Sequence, residues 1–192
     1  MDYIEGQMFK KINFQDKGLE KKEYENCQFI NCDFSETDLC EIKFIECIFT
    51  DCNLSLADIS QTAFREVYFK NCKMLGLHFE KSNPFGLAFT FENCLLDHAC
   101  FYQTVITKTV FKRSQLRECD FSECNLSGVV FDECDLSLAQ FVHSNLEKAD
   151  FRSSYHYSID PEMNRIKKAK FSIWGLSGLL LKYDIIVDEE RG

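Results

Sequence analysis

Proline and glycine are scarce in this chain, two and eight residues among 192. That scarcity leaves no room for a long linker, and the length suits one domain. No basic-then-apolar leader opens the sequence, so no signal peptide is expected. The longest apolar run near the end, Leu179 to Leu181, is far too short to span a bilayer. These absences point to a cytoplasmic protein without a membrane partner. Basic residues are also in deficit, 22 Lys and Arg against 31 Asp and Glu, for a formal net charge of −9. An acidic total disfavours direct nucleic-acid binding and favours a basic partner surface.

The signatures of chemistry are missing as well. There is no Gly-rich phosphate loop or Walker pattern, no CxxC, and no Cys–His grouping with zinc spacing. The four histidines, His78, His98, His143 and His156, lie at unrelated points. None has a Ser, Cys or carboxylate partner at a recognisable spacing. The expectation is a protein that is not an enzyme, with no cofactor, no metal and no catalytic residue.

What the chain does have is a hydrophobic residue every five positions. The beat runs from Phe9 through Phe14, Leu19, Tyr24 and Phe29 to Phe79, and resumes from Leu96 through Phe101 and Ile106 to Phe151. It takes in 15 of the 19 phenylalanines. A period of five suits neither a helix nor an ordinary strand, so a repeat architecture is indicated. Two residues before each beat stands a small residue, as at Cys27, Thr37, Cys47, Ala57, Thr62, Cys94 and Ala149. One residue before it stands Asp or Asn, as at Asp33, Asn53, Asp120 and Asn145. Small and large residues two apart make a very short strand with both side chains inward. The Asp or Asn between them suits a tight turn, because its side chain bonds nearby backbone amides. All of the 11 cysteines except Cys40 and Cys100 fall on the small position, which marks them as buried apolar filler in a reducing compartment.

This pattern resembles the pentapeptide-repeat family, whose motif is a small residue, Asp or Asn, Leu or Phe, and two variable residues. The resemblance covers roughly Phe9 to Phe151, then Ile166 and Phe171. It implies an all-β fold, a right-handed quadrilateral β-helix with four pentapeptides per turn. Residues 20 apart then stack, and about seven coils at ~4.8 Å make a rod roughly 34 Å long. From Leu96 to Phe151, Leu or Ile alternates with Phe. In such a coil Phe101, Phe121 and Phe141 stack on one side, facing Phe111, Phe131 and Phe151.

The departures from the beat divide the single domain. Coils occupy about 9–81 and 91–171, with a phase break at about 82–90 and a C-terminal cap at 172–188. The break holds two extra residues, or three missing, in Ser82-Asn83-Pro84-Phe85-Gly86-Leu87, whose Asn-Pro and Phe-Gly are turn signals. It is read as a bulge or as a small contact loop presenting Pro84, Phe85 and Gly86. A second excursion covers Ser153 to Met163. Ser172 then N-caps a short helix to about Tyr183, apolar nearly all round and suited to plugging the open end of the rod. Its remaining face implies a homodimer through Trp174, Leu176, Leu179, Leu180 and Leu181. Asp184-Ile185-Ile186-Val187 reads as a closing strand.

Charge is uneven: residues 23–66 carry −8, residues 118–150 carry −7, and the remainder is positive. The rod, the offset and the Leu-rich ending are similar to the Qnr, MfpA and McbG type of pentapeptide-repeat protein. That similarity implies an acidic dimeric rod that mimics DNA, engages DNA gyrase or topoisomerase IV, and relieves quinolone or toxin poisoning. Outward acids such as Glu36, Asp51 and Glu66 are the candidate partner contacts, spread over different sides. The alternative is a scaffold or adaptor for another protein partner.

Overall fold

A computed structural model describes residues 3–186. The chain winds into a four-sided parallel coil. One side is a sheet of Tyr3–Glu5, Glu23–Glu25, Lys43–Ile45 and Ala63–Arg65. The next is a seven-stranded sheet of Met8–Lys10, Gln28–Ile30, Ile48–Thr50, Val67–Lys70, Phe89–Glu92, Val110–Lys112 and Val130–Asp132. The other two sides are ladders of single parallel bridges, such as Asn13↔Asp33↔Asn53 and Cys100↔Asp120↔Gln140. The register step is 20 residues, as in Phe49↔Phe69.

The beat residues fill the interior. Phe9, Phe29, Phe49, Phe69, Phe91, Phe111, Phe131, Phe151 and Phe171 form one continuous column, with neighbouring ring centroids 4.6–5.4 Å apart. Phe79, Phe101, Phe121 and Phe141 make a second column. The two meet edge to face, as in Phe101 against Phe111 at 5.9 Å and 90°, the orientation that the ring quadrupole favours. The sequence beat, taken up again only at Leu96, passes over Phe89 and Phe91. Both are buried, and Phe91 carries the long column across the phase break.

The turn-forming position acts as its chemistry requires. Asp33 Oδ1 accepts from Ser35 N at 2.9 Å, Asp58 Oδ1 from Ser60 N at 3.0 Å, and Asp120 Oδ1 from Ser122 N at 2.8 Å. The small position does more than fill space. Cys47 Sγ donates to the Tyr24 carbonyl (3.2 Å), Thr62 Oγ1 to Leu39 (2.7 Å), and Ser144 Oγ to Phe121 (2.6 Å). Each satisfies the carbonyl of a beat residue 23 positions earlier, a group that costs free energy if buried unpaired. This explains why Cys, Thr and Ser share the position. All 11 cysteines are free thiols, and the nine at the small position are buried. Burial pushes the Cys47 and Cys134 thiols up to about 12, so they stay protonated donors.

Two positions after most beats the chain turns a corner with positive φ, between 48° and 64° at non-glycine coil residues from Lys11 to Lys168. Across the phase break the register steps by 22, Phe69↔Phe91. The two extra residues leave the coil after a 3₁₀ turn, Phe79–Lys81. The four-stranded sheet ends there, at Ala63–Arg65.

The C-terminal cap consists of two 3₁₀ segments, Ile173–Leu179 and Leu181–Tyr183. Ser172 caps the first, accepting from Gly175 N at 3.1 Å. The cap docks by close backbone approach: Ile159 N donates to Gly178 O at 3.0 Å, and a Cβ on Gly178 would collide with the Tyr157 carbonyl. The closing strand read from Asp184-Ile185-Ile186-Val187 does not form over residues 184–186. Asp184 turns into the left-handed region at φ 49°, which breaks extension. Val187 lies outside the described residues.

Candidate interaction surface

Glu36, Asp51 and Glu66 sit at three different corners of the coil, all exposed. The structure does not bring them together on one side. It places them in a different grouping. Glu36, Glu41, Glu46 and Asp51 are the four successive corners of a single coil, and Glu66 stacks beneath Glu46. Further along, Glu118, Glu123 and Glu133 hold three corners of another coil. The acids therefore form two girdles around the rod. Four coil steps separate them, roughly 19 Å at the strand spacing. The corner backbones are pinned by the ladder, for example Glu46 N to Arg65 O at 2.8 Å and Asp51 N to Lys70 O at 2.9 Å. Among the described residues, the side chains of Glu36, Glu41, Glu46 and Glu66 make no hydrogen bond or ion pair, while Asp51 accepts from Asn71 Nδ2 at 2.9 Å.

The phase break projects Pro84, Phe85 and Gly86, all exposed, with Phe85 at 73%. The Arg65 guanidinium lies 5.3 Å from the Phe85 ring centroid, a cation–π contact not apparent from the sequence. Beside it is a concavity of about 460 Å³, lined by Arg65, Glu66, Pro84, Gly86, Val105 and Lys108 among others. Of the proposed interface residues, Trp174 (67% exposed), Leu176 and Leu181 face outward, whereas Leu179 packs against the core. Leu180 is half-buried. Ile173, Tyr183, Ile185 and Ile186 extend the exposed apolar face.

Three of the histidines have carboxylate partners, two of them across adjacent coils. His98 Nδ1 lies 3.5 Å from Glu118, 20 residues on, and His78 Nδ1 lies 2.8 Å from Glu80. His156 Nδ1 meets both Asp135 Oδ1 (3.0 Å) and Ser137 Oγ (3.1 Å). This last group has the residue types of a hydrolytic triad but not its geometry. A relay needs the acid on one ring nitrogen and the nucleophile on the other, and here both use Nδ1. Ser137 Oγ itself donates to Asp135 at 2.6 Å. The group ties adjacent coils together.

The family model of the pentapeptide repeat region matches residues 22–90 and 88–156, more than half of the chain. The chain belongs to the pentapeptide-repeat family. Solved structures similar to this pentapeptide-repeat protein include QnrB1, a plasmid-mediated fluoroquinolone resistance protein. A trypsin-treated variant of it matches at 19% identity and a TM-score of 0.67, over 97% of this chain and 92% of that one. Full-length QnrB1 matches at 18% identity and 0.52, over 96% and 100%. HetL, from the cyanobacterium Nostoc and involved in heterocyst differentiation regulation, matches at 15% identity and 0.49, over 89% and 86%. At such identities the likeness to QnrB1 is one of fold. Among curated protein sequences none matches this chain. Among the described residues no helix is long and apolar enough to cross a membrane.

Proposed function

We propose that this pentapeptide-repeat protein is a non-enzymatic, DNA-mimicking acidic rod that engages DNA gyrase or topoisomerase IV and protects it from quinolones or a toxin. The observation that carries this reading is the identity of the corner residues. A left-handed corner favours Gly, Asn or Asp, and the chain uses Gly6, Asn26, Asn31, Gly76 and Gly128 there. Yet Glu occupies seven corners, at 36, 41, 46, 66, 118, 123 and 133. Glutamate gains nothing from that backbone, yet it is the commonest residue at these corners, which concentrates negative charge there. Fixed carboxylates on a rigid rod suit a partner built to grip phosphates. The fold likeness to a fluoroquinolone resistance protein agrees with this reading.

In supercoiling assays, purified protein is expected to alter gyrase activity or relieve its inhibition by a quinolone. Reversing Glu36, Asp51 and Glu66 to Lys together is expected to raise the concentration needed roughly tenfold, about 1.4 kcal/mol. No effect on gyrase or topoisomerase IV would refute the reading and favour an adaptor with another protein partner.

The same reading includes a homodimer closed by the cap. Its support is the exposed run Ile173, Trp174, Leu176, Leu181 and Ile186, a concentration of apolar surface that monomers rarely leave in water. The full chain is expected to sediment as a dimer, and Leu176→Glu with Leu181→Glu as a folded monomer. An unchanged dimer in that variant would move the interface elsewhere.

A further inference from the structure

The two residues inserted at the phase break do more than bend the ladder. With the regular step of 20, His78 would stack on His98. With the step of 22 it bridges Cys100 instead, one of the two cysteines outside the small position. The 3₁₀ turn Phe79–Lys81 that begins the insertion folds Glu80 back toward the same spot. A ring nitrogen of His78, a carboxylate oxygen of Glu80 and the Sγ of Cys100 all lie within 4.8 Å of one another. Among the described residues this is the only such meeting of three metal-ligating groups. Glu80 Oε1 sits 2.8 Å from His78 Nδ1, while Glu80 Oε2 is buried with no hydrogen-bond partner. A buried carboxylate oxygen left unpaired is costly, and a cation would satisfy it.

We infer that His78, Glu80 and Cys100 form a binding site for a divalent cation of the zinc type, with water as the fourth ligand. A mixed N, O and S set suits Zn²⁺ and not Mg²⁺ or Ca²⁺, which take oxygen. Tetrahedral zinc needs ligand atoms roughly 3.3–3.8 Å apart, given bonds of ~2.0–2.3 Å, so His78 and Glu80, 2.8 Å apart, open slightly while Cys100 closes by up to about an ångström. His78 is exposed and leaves room for the water. The surrounding charge favours a cation: Asp120 is bridged to Cys100 one coil on, and the nearby Lys81 acts on Asp58. On binding, Cys100 releases its proton to solvent as the metal–sulfur bond forms. The hydrogen bond between His78 and Glu80 is exchanged for two metal bonds, with the imidazole neutral and its proton on the nitrogen that does not bind the metal. The ion would tie the turn that launches the Pro84 loop to the next coil.

The test uses full-length protein stripped with a chelator and titrated with Co²⁺ alone, then Zn²⁺ alone. One Co²⁺ per chain is expected, with a thiolate-to-cobalt charge-transfer band that Zn²⁺ displaces. Cys100→Ser should abolish the band and Cys40→Ser should leave it. His78→Gln, at an exposed position that does not threaten folding, should weaken Zn²⁺ binding roughly 100-fold or more, since even outer partners of a metal ligand are worth 10–100-fold. Absence of the band in the parent protein, or its persistence in both Cys100→Ser and His78→Gln, would overturn the site.

Discussion

Phe111→Ala is expected to lower the free energy of unfolding by about 4 kcal/mol, among the largest losses available to a single substitution in this chain. Phe111 is fully buried, with Phe91 and Phe131 stacked on either side at 5.1 Å. Phe101 and Phe121 meet it edge-on at 5.9 Å. Truncation opens a cavity that the coil cannot collapse, because each neighbouring ring is held by its own strand. Phe9 begins the same column but is only partly buried and stacks on Phe29 alone. Phe9→Ala should therefore cost about half as much or less, as nearest-neighbour stacking requires. Urea midpoints at equal m-value measure both. Equal losses at the two positions would show that the column is not a sum of neighbour terms.

Asp135→Ala is expected to cost about 2 kcal/mol at pH 7, the scale for losing hydrogen bonds to a charged group. The side chain is 5% exposed. It accepts from Arg117 Nε at 2.7 Å, Ser137 Oγ at 2.6 Å and His156 Nδ1 at 3.0 Å. Burial alone would raise its pKa, but the hydrogen bonds from Ser137, Arg117 and His156 outweigh it and hold the carboxyl well below the usual range. A folded-state pKa that is depressed contributes stability above the unfolded value, near ~3.9, and loses it as pH falls through the folded one. The gap between parent and Asp135→Ala should therefore narrow below about pH 4. A gap unchanged from pH 7 to pH 3 would mean that Asp135 acts by shape and not by charge. Asp150, lowered to about 2 by Arg152 and then Lys170 against the opposing effect of its own burial, adds to the same acid limb.

The interior was legible in the linear pattern because every coil offers the same environment. Phe29, Phe49 and Phe69 each stack between the rings of the coils on either side, so selection for one large apolar residue repeats at each. The small position was legible as small, but its donor role was not. Cys, Thr and Ser look like filler until Cys47 Sγ is seen on the Tyr24 carbonyl. The corners were less legible still. Nothing in Glu36 or Glu46 announces a left-handed backbone, because glutamate is an ordinary surface residue there. The Leu-rich ending read as a helix, and 3₁₀ segments took its place where Gly175 and Gly178 let the chain press against Tyr157.

By itself the sequence determined the fold and most of the core through its five-residue beat, and the excess of acid through its composition. A local repeat needs only neighbours in sequence to express itself. The tertiary structure alone decided which residues meet across coils: the two glutamate girdles, Arg65 over Phe85, and His78 on Cys100 with Glu80 beside them. The physical reason is the register. Contacts between coils depend on the length of each turn, and two extra residues at one loop replace His98 with Cys100 beneath His78 while leaving the beat on either side unchanged.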